Sequence, residues 1–172
     1  MIIGITQGDY NGVGYEIILK TFSDARLLEM FTPVVYGSRK FFTYYRDLLK
    51  MEGVMFQLID DIQKAQPKKL NLISCVDETE DPQPGLSTAG GGKGALQALE
   101  CATKDLVENK IDALVTAPIN KDNIQSEEFK FPGHTEYLEH AAGAKDSLMF
   151  MVTEGLKIGV VTGHVPVAEV AQ

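Results

Sequence analysis

What most restricts the fold of this chain is a change of hydrophobic rhythm that recurs along it. Short runs that are apolar almost throughout (Ile2–Ile5, Pro33–Tyr36, Met55–Ile59, Leu70–Ser74, Ala113–Val115, Leu148–Val152 and Lys157–Val161) alternate with longer amphipathic stretches. A strand with one wet face alternates apolar and polar side chains, whereas a strand covered on both faces is apolar at nearly every position. Runs of the second kind predict a largely parallel sheet with helices above and below. The stretches Gly14–Phe22, Arg39–Met51, Gly90–Asn109 and Glu136–Ala142 read as those helices. In the longest, Ala95, Leu99, Ala102 and Leu106 recur at three- and four-residue spacing and form one stripe to bury. A three-layer α/β fold follows. The segment Gln125–Gly133 is polar, ends in Pro-Gly and reads as a hinge or crossover. It divides the chain into a first α/β domain over 1–124 and the start of a second over 125–172.

In such sheets ligands collect at the carboxyl ends of strands, so the residues leaving each strand are the place to look for chemistry. After the first comes Thr6-Gln7-Gly8-Asp9-Tyr10-Asn11-Gly12-Val13-Gly14. Its glycines, with Gly12 and Gly14 nearest the helix, let backbone N–H groups approach an anion. It is not a dinucleotide fingerprint, because Ile17 stands where the third glycine belongs. The structural alternative is a tight strand-to-helix turn in which Asp9 satisfies loop amides. The segment Gly85-Leu86-Ser87-Thr88-Ala89-Gly90-Gly91-Gly92-Lys93-Gly94 is not a phosphate loop. Ser87 occupies the first glycine position and Gly94 replaces the required Ser or Thr. As a helix entrance it offers Ser87, Thr88 and Lys93 as anion donors, or else its glycines only allow close packing.

Past Ala113–Val115, Lys121 is presented to pair with a carboxylate or phosphate, or to move a proton if desolvated. In Pro132-Gly133-His134-Thr135-Glu136, Thr135 is a natural N-cap, and His134 has no comparable structural duty. His140 suits the end of its helix as a favourable charge. The last strand leads into Thr162-Gly163-His164, and one imidazole alone does not make a metal site.

Composition excludes several other readings. The chain has 172 residues, enough for one well-buried domain or slightly more. With 16 basic and 24 acidic side chains the formal net charge is −8, which argues against nucleic acid and against an anionic membrane surface as partners. The two cysteines, Cys75 and Cys101, lie too far apart in sequence for a C-x-x-C motif, so a disulfide scaffold and a cysteine zinc site are both poor readings. The first residues lack a basic region and turn polar at once, unlike a signal peptide, and no apolar run approaches the roughly 18 residues of a membrane span. A cytoplasmic location is expected. Val165–Gln172 starts like a helix, with Pro166 suited to its first turn, and reads as the beginning of an element in a fragment.

Taken in order, T-Q-G-D-x-N-G-V-G-x-E-I, G-L-S-T-A-G-G-G-K-G-A, D-A-L-V-T-A-P-I-N-K, P-G-H-T-E-Y-L and V-T-G-H-V-P-V resemble the 4-hydroxythreonine-4-phosphate dehydrogenase family of vitamin B6 biosynthesis. The resemblance runs over nearly the whole chain and matches the family's N-terminal half. It departs at Tyr10 and Tyr15, where the family usually has proline. It implies a fold similar to isocitrate and isopropylmalate dehydrogenases, and a homodimer with the site in a cleft partly shared between subunits. It further implies NAD (or NADP), a divalent metal (Zn, Mg or Co) and a phosphorylated substrate, 4-phosphooxy-L-threonine. By the same resemblance His134 and Thr135 contact substrate, and His164 ligates the metal. Two further metal histidines and most NAD-binding residues belong to the family's later half. The alternatives are a dehydrogenase of another phosphorylated four-carbon acid, such as 4-phosphothreonate or 4-phosphoerythronate, and a non-catalytic binding fragment.

Overall fold

In the computed structural model, which describes residues 1–162 and 165–169, five of the apolar runs assemble into one parallel sheet. They are β1 (Ile2–Thr6), β2 (Thr32–Gly37), β3 (Phe56–Ile59), β4 (Leu70–Ser74) and β5 (Ala113–Thr116), in the spatial order β3-β4-β2-β1-β5. Ile5 of β1 sits level with Val35 on one side and Val115 on the other. The helices are α1 (Gly14–Phe22), α2 (Leu27–Met30), α3 (Arg39–Leu48), α4 (Ala89–Val107) and α5 (His134–Ala141). The α/β reading holds.

Successive strand residues point to opposite faces, and this divides the core in two. Ile5, Val35, Leu70 and Leu72 pack with Tyr15, Ile18, Leu19 and Phe22 of α1 and Phe41, Phe42 and Tyr45 of α3. Their neighbours Val34, Tyr36, Ile59 and Ile73 face the other way, against Ala102 of α4 and Ile111. Each fully buried large apolar side chain contributes about 1.5–3 kcal/mol relative to leaving it in water. A third cluster lies on the far side of α4, where Ala95, Leu96 and Leu99 meet Ile124 and Phe129. Ile124 and Phe129 straddle the expected domain boundary and share that one cluster. Two helix starts, those of α3 and α4, are capped by hydroxyls: Ser38 Oγ accepts the Phe41 N–H at 3.0 Å, and Thr88 Oγ1 accepts the Gly91 N–H at 3.0 Å.

Three expectations need correcting. The last two apolar runs do not join the parallel sheet. They form an antiparallel hairpin, β6 (Met149–Thr153) and β7 (Leu156–Val160), closed by Glu154 and Gly155 with Gly155 at φ +77°. Two strands joined by two residues can only run antiparallel, since a parallel pair needs a long crossover. Both faces of this hairpin are exposed. Secondly, Thr135 is not a cap. The helix opens earlier than Glu136, with Gly133 at the cap position and Gly133 O accepting the Tyr137 N–H at 3.4 Å. Thirdly, the helix expected from Val165 is a single 3-10 turn over Val167–Glu169 among the described residues. No helix of the described residues is long and apolar enough to cross a membrane.

Candidate functional site

The strand order contains one reversal. From β1 the chain moves to β2 on one side, and after β4 it crosses back through α4 to β5 on the other. The connection leaving β1 and the one entering β5 thus lie on opposite sides of β1, a switch point of the kind where ligands bind at the carboxyl ends of strands. A cavity of about 310 Å³ lies there, lined by Asp9, Asn11, Gly85, Ser87, Pro118 and Asn120 among others.

Three loops meet around it. The β1 and β5 exits are tied where the Asp9 N–H donates to Pro118 O at 3.1 Å. That approach requires glycine at position 8: Gly8 has φ +69°, and a Cβ there would lie 2.3 Å from the Pro118 carbonyl oxygen. Asp9 is buried. Its Oδ1 accepts the Asn11 N–H at 2.8 Å and its Oδ2 accepts from Asn123 Nδ2 at 2.8 Å. A Cβ on Gly91 would come within 2.5 Å of Asp9 Oδ1, so the first turn of α4 rests directly on this carboxylate. An anion against the positive end of a helix is a favourable placement. Asn11 joins the third loop, donating to Thr88 Oγ1 at 2.9 Å and accepting the Gln83 N–H at 2.7 Å. Asn120 Nδ2 donates to Ser87 Oγ at 3.0 Å.

Tyr10 and Tyr15 are part of this framework. Tyr15 is fully buried; its hydroxyl donates to Gln7 Oε1 and accepts the Ser38 N–H at 2.8 Å. Burial pushes its phenol well above the usual range. Tyr10 packs its ring 4.2 Å from that of Phe41 and donates to Glu80 at 3.2 Å. Burial, reinforced by the Glu80 charge, pushes its pKa up to about 12.

The residues singled out from sequence fall into separate groups. Asp9 and Ser87 line the cavity with Gly12. The Gly12 N–H donates to Asp9 O at 2.9 Å, and a Cβ on Gly14 would sit 2.1 Å from Gln7 O, so both glycines serve the turn and its packing. Lys93 is not brought to the cavity. It is exposed and pairs with Asp77 at 3.3 Å on the other side of Tyr10. It stands two positions after Gly91, which rests on Asp9, and so projects from the opposite side of α4. Lys121 and His134 are brought together, on the loop after β5 and at the start of α5. The neighbouring Lys121 charge adds to burial in holding the His134 imidazole below its ordinary value. His134 Nε2 is buried with no hydrogen-bond partner among the described residues, an uncommon state for a buried polar atom. Thr135 is exposed and makes no capping bond, which leaves its hydroxyl available. His164 lies outside the described residues, and among those described no group of three or more His, Cys, Asp or Glu is placed to hold a metal.

Asn11, Asn120 and Asn123 were not singled out from sequence. Asn11 and Asn120 stand inside quoted motifs and Asn123 two residues past one, and only the folded contacts show that they link the loops.

The model of the family described as pyridoxal phosphate biosynthetic protein PdxA matches residues 29–172. The chain is 46% identical over 170 residues to a 4-hydroxythreonine-4-phosphate dehydrogenase of Bacteroides thetaiotaomicron, covering 98% of this chain and 46% of that protein. It is 32% identical over 169 residues to a D-threonate 4-phosphate dehydrogenase of Pectobacterium atrosepticum, covering 95% of this chain and 51% of that one. Among solved structures, a 4-hydroxythreonine-4-phosphate dehydrogenase from Burkholderia phymatum superposes with a TM-score of 0.82 at 32% identity, covering 96% of this chain and 50% of that chain. The chain thus spans about half the length of the relatives it matches.

Proposed function

Since the chain belongs to the PdxA family, we propose that it forms the first half of a dehydrogenase that oxidises 4-phosphooxy-L-threonine with NAD (or NADP). The secondary alcohol loses a proton and a hydride and becomes a ketone. The product, 2-amino-3-oxo-4-phosphooxybutanoate, is a β-keto acid and readily loses CO2 to leave 3-amino-2-oxopropyl phosphate. NAD supplies the hydride acceptor. A divalent metal would favour the alkoxide when bound; among the described residues no group of three or more His, Cys, Asp or Glu is placed to hold one.

What this chain's own residues contribute is binding and orientation. The observation that carries the reading is His134, whose buried Nε2 lacks a partner beside the Lys121 ammonium. Because burial and Lys121 both disfavour its charged form, the imidazole stays neutral below the pH at which a free histidine would protonate. A neutral ring can donate to, or accept from, a substrate oxygen while Lys121 attracts the phosphate or carboxylate. Thr135 adds a free hydroxyl on the same helix start. A homodimer with a shared site is part of the same reading.

A second reading has a specific observation behind it. Relatives named for D-threonate 4-phosphate match nearly as much of this chain as several named for 4-hydroxythreonine-4-phosphate. The two substrates share the phosphate and the alcohol and differ at the amino group. NADH formation from each, measured with the gene product carrying this sequence, separates them. His134→Ala is expected to lower kcat/KM by about 100-fold or more, as for loss of a group that orients the reacting atoms. Thr135→Ala should raise KM with an unchanged melting temperature. Turnover of neither substrate by the unmodified protein, or an undiminished kcat/KM in His134→Ala, overturns the assignment.

A further inference from the structure

Cys75 and Cys101 are distant in sequence, free and half-buried, and the fold sets them opposite one another. Cys75 directly follows β4 and continues its ladder, its N–H donating to Gly37 O at 2.9 Å. Two residues later the Asp77 N–H donates to Gln97 Oε1 at 3.0 Å, which ties the strand exit to α4 one turn before Cys101. On the other flank the Tyr36 hydroxyl donates to Asp105 Oδ2 at 2.7 Å, one turn after Cys101. Tyr36 is level with Ile73, two residues before Cys75. Strand and helix are thus fixed to each other on both sides of the position where 75 and 101 meet. Both side chains pack on the same cluster of Val34, Tyr36, Ile73 and Ala102.

We propose that Cys75 and Cys101 are a redox-sensitive pair that closes to a reversible disulfide, stapling the end of β4 to the middle of α4. The neighbouring Cys75 thiol holds Cys101 below the ordinary thiol range, while the Cys101 thiol, together with burial, pushes Cys75 well above. Cys101 is therefore the attacking sulfur. Its thiolate attacks one sulfur of a small-molecule disulfide such as oxidised glutathione and expels a glutathione thiolate. Cys75 gives its proton to solvent and attacks the Cys101 sulfur of the mixed disulfide, expelling the second glutathione. Two protein thiols lose two electrons and two protons; the glutathione disulfide takes up both electrons as two thiols. The closed loop carries Asp77–Gly85, Ser87 and Thr88, so its closure acts on one wall of the cavity at the strand ends.

The experiment is incubation of the folded chain with oxidised glutathione, followed by intact mass and thermal melting. The expected product is lighter by two hydrogen atoms, carries no glutathione, melts roughly 5–10 °C higher and reverts on reduction. Cys75→Ser is expected to accumulate a lasting glutathione adduct at Cys101, whereas Cys101→Ser leaves Cys75 unmodified. An unchanged mass, a lasting adduct on the unmodified sequence, or a link between two chains instead of within one overturns the proposal. The first measurement needs no substitution, so a variant that folds poorly does not shield it.

Discussion

Phe129→Ala is expected to destabilise the chain by about 3–5 kcal/mol, the cost of emptying a large aromatic site that collapses only in part. Phe129 is fully buried although its loop is polar on either side. Its ring stacks on Tyr137 at a centroid separation of 5.6 Å, meets Phe131 edge-on at 5.5 Å, and closes over Ala95, Leu96 and Leu99 of α4. A backbone turn holds it there, with Ser126 Oγ accepting the Phe129 N–H at 3.0 Å. Urea or thermal unfolding checks the number: a melting temperature lower by roughly 10 °C is expected, with most of it restored by Phe129→Leu. A loss under about 0.5 kcal/mol, within the range of surface substitutions, would show that the loop does not bury this ring.

Asp9→Ala should cost about 2–4 kcal/mol, because it orphans two donors at once and removes a charge from a helix start. The Asn11 N–H and the Asn123 amide both donate to this carboxylate. Asp9→Asn keeps one acceptor oxygen and belongs between the two. The same substitution loosens the meeting of the three loops, so in the gene product carrying this sequence the loss of stability should be accompanied by a raised KM. An alanine variant that melts with its parent would refute the supporting role of Asp9.

Most of the architecture could be read from the rhythm of apolar residues, because burial on both faces is written into most positions of β1, β2 and β4. The hairpin β6–β7 was legible too, in the two residues Glu154-Gly155 between its strands, but the alternation of the preceding elements masked that short-range signal. Thr135 shows a different limit: cap preference is a local property, while the start of α5 is set by where Phe131 and Tyr137 pack under α4. For the site, the loops carrying Asp9, Ser87 and Lys121 could be located because they follow strands. Their partners could not, since contacts such as Asp9 to Asn123 and Asn11 to Thr88 join residues more than 70 positions apart. Lys93 was misjudged for a different reason, as its phase on α4 turns it toward Asp77 and away from the cavity.

Strand β5 carries one more consequence. Among the described residues it hydrogen-bonds to β1 alone, and Val115 opens with Ile3, Ile5, Ile17 and Phe31 onto an apolar furrow of about 370 Å³. A bare parallel margin next to greasy side chains is a template for any passing extended chain. Concentrated solutions of these residues should accordingly scatter more light as they age, and a lysine at position 115 should keep them clear.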